Sequence, residues 1–92
     1  MIQNTIIQVA KLNDTTFEIT VTAKSTTTHT VTVVPDYAQK LTGGACSTEH
    51  LVERSFAFLL EREPNTSILR SFDLPVIGRY FPEYESVIRG KL

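Results

Sequence analysis

The sequence predicts an α+β domain: a three-stranded antiparallel β-meander packed against one main helix, with short helices toward the C-terminus. Two observations carry this. Of thirteen threonines, eleven lie in residues 1–42, whereas all five arginines lie in residues 54–89. Threonine suits the pleated, half-buried surface of a sheet, and arginine is at home in helices. Period-two patterning also fills the first part of the chain and helical patterning the second, a run of strands followed by a run of helices rather than alternating βαβ units.

The clearest strand is TTFEITVTAK. Phe17, Ile19, Val21 and Ala23 point to one side, and Thr16, Glu18, Thr20 and Thr22 to the other. One apolar and one polar face describe an antiparallel sheet with one side wet. Ile7 and Val9, with Ile2 or Ile6, support a preceding strand, and Asn13-Asp14 suits the turn between them. Ser25 to Thr27 reads as the next turn. Val31 and Val33 then alternate with Thr30, Thr32 and Val34 in a third strand, which Pro35 ends because proline donates nothing to a ladder. The meander spans roughly residues 2–34.

Asp36 is the expected cap of a short helix over Tyr37 to Leu41, with Gly43-Gly44 closing it. Ser47 or Thr48 caps the main helix, expected over residues 48–62, with Glu49 in its first turn and Pro64 stopping it. Leu51, Val52, Ser55, Phe56, Leu59 and Leu60 form its apolar stripe. Phe58 lies to one side, which suggests that a second surface of the helix is covered, by a partner chain. Beyond Pro64, one short helix is expected to carry Ile68, Leu69 and Phe72. Another, capped by Asp73, carries Leu74, Val76, Ile77, Tyr80 and Phe81, and a last turn or two fills Glu83 to Arg89. The expected core comprises Ile7, Val9, Phe17, Ile19, Val21, Val31, Val33, Leu51, Phe56, Leu59, Leu60, Ile68, Leu69, Phe72, Ile77 and Phe81.

The chain has 92 residues, 41% apolar and 21% charged, which suits a single domain over residues 1–92. A chain of this length buries about 60–65% of its unfolded surface, so the core is thin and dimerisation would thicken it. The net charge of −1, with no run of like charge, gives no phosphate-binding stripe. No apolar stretch approaches the roughly 20 residues of a membrane span. The N-terminal residues lack the pattern of a secretory signal, and the single cysteine, Cys46, has no internal disulfide partner. The expected location is the cytoplasm of a bacterial-type cell, without membrane attachment.

Five candidate sites follow from chemistry. Cys46 just before a helix start, with His50 one turn on, is the minimal pair for a reactive thiol or nucleophile, but nothing in the pattern orients the histidine. Cys46, His29 and His50 are the soft or borderline metal ligands, without the spacing of a zinc site. His29 is expected in or beside a hairpin, on the polar threonine face. Gly43-Gly44 lacks the lysine of a phosphate-binding loop and follows a helix rather than a strand. The densest aromatic stretch, RYFPEY, places Arg79, Tyr80, Phe81 and Tyr84 together, with Arg70 and Arg89 nearby; arginine beside exposed aromatics suits a protein contact. Glu83 and Glu85 interleave there and weaken a nucleic-acid reading. Thr16, Thr20, Thr22, Thr30 and Thr32 form an ordinary solvated sheet face.

The stretch EHLVERSFAFLLEREPNTSILRSFDLPVIGRYFPEY, residues 49–84, resembles the helical half of a family of small bacterial proteins described as conserved hypothetical. ERSFAFLLEREP, SILRSFDL and VIGRYFPEY carry the likeness. It implies a compact α+β unit and brings no catalytic or binding residue. The sequence thus points to a non-enzymatic interaction or regulatory module without a cofactor or metal, acting as a homodimer or on a protein partner. Nucleic-acid association and a thiol-based or metal-linked enzyme at Cys46 and His50 are the alternatives.

Overall fold

The computed structural model describes residues 5–92; the expectation for Ile2 lies outside them. Strands β1 (Ile6–Lys11), β2 (Thr16–Thr22) and β3 (Thr26–Thr32) form the antiparallel meander. Asn13 makes the first turn by accepting the N–H groups of Thr15 and Thr16 at its Oδ1, both at 2.9 Å. Helices α1 (Pro35–Thr42) and α2 (Thr48–Leu60) follow, then a single 3₁₀ turn (Asn65–Ser67), strand β4 (Ser71–Asp73) and helices α3 (Val76–Tyr80) and α4 (Tyr84–Lys91).

The α+β class stands, but the sheet has four strands rather than three. β4 adds to β3 in parallel, Val31 opposite Phe72, giving a mixed sheet in the order β1-β2-β3-β4. The stretch expected to be a helix over Ile68 to Phe72 is instead an extended return to the sheet. Thr30 donates to the Arg70 carbonyl at 2.7 Å and Leu74 to the Thr32 carbonyl at 2.9 Å. These inter-strand bonds reward extension over residues 70–74 in a way local periodicity does not reveal.

Several local expectations need correction. Asp36 does not cap α1: Val34 takes that position without a side-chain bond, Pro35 is the first helical residue, and Asp36 sits in the first turn. Proline tolerates that place because its missing N–H would have no helical partner there. Gly43 closes α1 at φ 62°, its N–H reaching the Gln39 carbonyl at 2.8 Å; that left-handed backbone favours glycine. Ser47 caps α2 by accepting the His50 N–H at 3.1 Å.

One face of the sheet carries the core. Phe17, Ile19 and Val21 of β2 and Val31 of β3 are fully covered, with Leu51, Val52 and Phe56 of α2 against them. The opposite face is threonine-rich, with Thr16 opposite Thr32, Thr20 opposite Thr28 and Thr22 opposite Thr26. Leu69 was expected in the core and is instead 48% exposed, because it lies in the extended return to β4. Ile7, Val9, Leu60, Phe72 and Phe81 are half-buried around the core. Leu74, Tyr84 and Ile88, outside the expected core, are fully buried in it.

Phe58 is also buried, and by its own chain rather than by a partner. The Tyr84 and Phe81 rings meet it edge-on at centroid distances of 5.3 and 5.9 Å. The Arg62 guanidinium lies 3.6 Å above its ring centre and donates from Nη1 to the Phe58 carbonyl at 3.1 Å. Cation–π contact and a hydrogen bond to the last turn of α2 thus close this side of the helix.

Tyr84 ties α4 to α2. Ser55 Oγ donates to the Leu51 carbonyl at 2.7 Å, using its single proton, so the Tyr84 hydroxyl donates to Ser55 Oγ at 2.6 Å. Burial, ahead of any other influence, pushes the Tyr84 phenol well above its ordinary value of 10. On the rim, Tyr37 of α1 donates to Glu85 at 2.8 Å and Lys40 pairs with the same carboxylate at 3.4 Å. Substituting Tyr84→Phe is expected to cost about 1 kcal/mol, and Ser55→Ala about 1–3 kcal/mol, because the second leaves a buried phenol unpartnered. Urea unfolding of the two variants measures this order; equal losses would mean that the phenol finds another partner.

Candidate functional site

An apolar groove of about 320 Å³ lies between the end of α2, the return to β4, and α3. Leu59 and Ile68 form its floor with Ile77, Phe72 and Phe81 line its sides, and Leu69 and Tyr80 stand on the rim. Leu69 is 48% and Tyr80 66% exposed, unusually open for large apolar residues that share one cleft. Glu63 and Ser67 are the polar side chains there besides the Tyr80 hydroxyl. The volume lies at the lower end of small-ligand sites, about 300–1,000 Å³. The lining offers no base for Ser67 and no second carboxylate for Glu63. Such a lining suits an apolar group.

The aromatic cluster read from the sequence divides here. Tyr80 and Phe81 reach the groove, Arg79 is on the surface, and Tyr84 belongs to the core. Pro82 breaks the chain between them. Tyr84 then falls one helical turn before Ile88, on the face of α4 that is buried.

A buried polar relay holds the groove wall in place. His29 has no exposed surface and lies on the core face of β3, opposite Ile19, not on the threonine face. The reason is parity: β3 begins at Thr26, so Thr27 and His29 continue the inward series of Val31 and Val33. The strand thus starts inside the stretch Ser25 to Thr27 that the sequence marks as a turn, which extends the alternation back to Thr27. The Leu69 carbonyl only accepts, so the Nδ1 of His29, 2.7 Å away, carries the proton. Nε2 therefore accepts from the Thr27 hydroxyl at 2.8 Å. Thr27 Oγ1 in turn accepts from Asn65 Nδ2 at 2.9 Å, and the same nitrogen donates to the Ser25 carbonyl at 2.9 Å. Asn65 is itself buried. The relay runs one way, Asn65 to Thr27 to His29 to Leu69, and binds the segment that forms the groove wall onto the sheet. Phe56 packs against the His29 ring, centroid to centroid 5.3 Å.

Burial holds the His29 pKa below its usual 6.5, helped by the positive charge of Arg70 and opposed by the bond to the Leu69 carbonyl. Protonation would also destroy the acceptor that the Thr27 hydroxyl uses. The folded protein thus keeps the ring neutral, while the unfolded chain takes up a proton near pH 6.5.

The other candidates carry less. Cys46 and His50 are both half-buried at the start of α2, and among the described residues no hydrogen bond joins or orients them. No group of three or more His, Cys, Asp or Glu side chains able to hold a metal occurs among the described residues, and none of their helices is long and apolar enough to cross a membrane. Gly43 and Gly44 form the helix-ending turn described above. No family model, no curated protein and no solved structure matches the chain.

The neutral His29 gives a pH dependence with a fixed sign. Its contribution to stability is complete above about pH 6.5 and falls as pH drops from there toward the lower folded value. Urea midpoints from pH 7.5 to 5 are expected to decline more steeply for the wild type than for His29→Gln. Parallel curves would remove the neutral-imidazole assignment.

Proposed function

We propose that the chain is a non-enzymatic protein-interaction module, and that the groove between α2 and α3 receives an apolar anchor side chain of a partner protein. The observation that supports this is the joint exposure of Leu69 and Tyr80 over an apolar floor. Large apolar side chains left open above a well-packed cleft are the usual anchors of protein contacts, aromatic residues above all. Glu63 on the groove wall adds a preference for a basic residue beside the anchor. The net charge of −1 favours this reading over phosphate binding. The relay from Asn65 to Leu69 supports it as well, because a wall fixed before contact spares the ordering cost of binding.

Leu69→Asp tests the reading at small cost to the fold, since the Leu69 side chain is half exposed and its contact with His29 is made through the main-chain carbonyl. In affinity capture from lysate of the source cells, treated with nuclease, the wild type is expected to retain a protein that Leu69→Asp loses at least tenfold. Retention by both alike, or recovery that vanishes with nuclease, would overturn the assignment.

A further inference from the structure

β1 is an edge of the sheet, and its unpaired backbone groups can be named. Leu12 donates to the Thr16 carbonyl at 2.9 Å, so these two residues form a hydrogen-bonded pair. Opposed residues in an antiparallel ladder alternate between bonded and non-bonded pairs. Following the register inward, Ala10, Gln8 and Ile6 turn their N–H and C=O groups toward β2. Those of Ile7, Val9 and Lys11 point away from the sheet. The far side of β2 gives the same phase: Val33 donates to the Thr15 carbonyl at 2.7 Å, so the odd residues of β2 face β3 and the even ones face β1.

The side chains at this edge are unfinished too. Ile7 and Val9 point to the core face, where α2 packs against β1, and are only half-buried. Ile6, on the opposite face, is 51% exposed. Among the described residues, no backbone bond takes up this outward row, and such a row flanked by aliphatic side chains is a template for another strand.

We propose that β1 pairs antiparallel with β1 of a second copy, about a twofold axis through Gln8, joining the two sheets into one. Three features select this occupant and register. Residues of the same face must oppose one another, and a bonded pair needs two outward-pointing residues. An axis through Gln8 meets both conditions by setting Ile7 of each copy opposite Val9 of the other. The two half-buried aliphatics then cover each other, and Ile6 lies against Ala10. The only charge on the strand, Lys11, falls at opposite ends of the joint, facing Thr5 rather than its own mate. An axis through Val9 would set Lys11 against Ile7, and one through Ile7 would set Val9 against Thr5. The segment is its own complement, as a twofold contact between identical surfaces requires.

Cross-linking reads the register directly. In a Cys46→Ser background, Gln8→Cys places two thiols on the axis as a non-bonded pair, with Cα atoms about 4.5 Å apart, within the reach of a disulfide. Ala10→Cys, on the same face, faces Ile6 and lies about 13 Å from its own mate at roughly 3.3 Å per residue. Mild oxidation is expected to link Gln8→Cys at least tenfold faster than Ala10→Cys. Sedimentation is expected to show a wild-type dimer and a Val9→Pro monomer with unchanged far-UV circular dichroism. Val9 directs its N–H outward, so proline removes no bond to β2. A wild type that stays monomeric at high micromolar concentration, or equal linking of the two cysteine variants, would overturn the proposal.

Discussion

The fold depends on three side chains buried where apolar ones would be expected: Asn65, Thr27 and His29. Each is almost fully covered, and hydrogen bonds join the Asn65 amide nitrogen, the Thr27 hydroxyl and both His29 ring nitrogens. Unpaired, such groups would cost several kcal/mol in an apolar interior. Paired, they are directional, and direction is what the C-terminal part of the chain needs. The residues between α2 and β4 have little apolar surface with which to locate themselves. A one-way chain of hydrogen bonds sets where residues 65–69 meet the sheet, and the alignment of β4 with β3 and the position of α3 follow from it.

A second constraint acts at the far side of α2. The helix is apolar on two faces, one against the sheet and one against Tyr84 and Phe81. Arg62 covers the remaining face of Phe58 while Glu61 and Glu83 hold its guanidinium at 3.5 and 3.4 Å. The stem and plane of an arginine can cover an aromatic ring and still keep its charge at the surface. One arginine and the short helix α4 thereby cover the side of α2 turned away from the sheet.

What the sequence made legible follows from the range of each interaction. Phe17, Ile19 and Val21 share one face because neighbouring residues alternate, so β2 and its buried side are plain. Ser47, Gly43 and Asn13 act on residues within four positions, and the turns and helix ends they make are plain too. β4 is three residues long, carries no β-branched side chain, and exists because β3 lies beside it; no local pattern encodes that. His29 was hidden by its polarity, although its parity with Val31 marks it as inward. Half of the groove was legible, as the aromatic density around Tyr80 and Phe81. Its other wall, Ile68 and Leu69, depends on the buried relay and could not be read from spacing.

The parallel pairing of β3 with β4 also bears on how the molecule comes to be folded. The meander closes through turns of a few residues, whereas β4 meets β3 only after a connection that includes α1 and α2. Closing a longer loop costs more chain entropy, and pairings distant in sequence form more slowly. A nascent chain emerging N-terminus first can therefore pair β1, β2 and β3 before β4 is made. The groove, lined largely by residues 67–81, is complete only once that segment has joined the meander, so anything confined to it would meet the folded chain and not the partly made one.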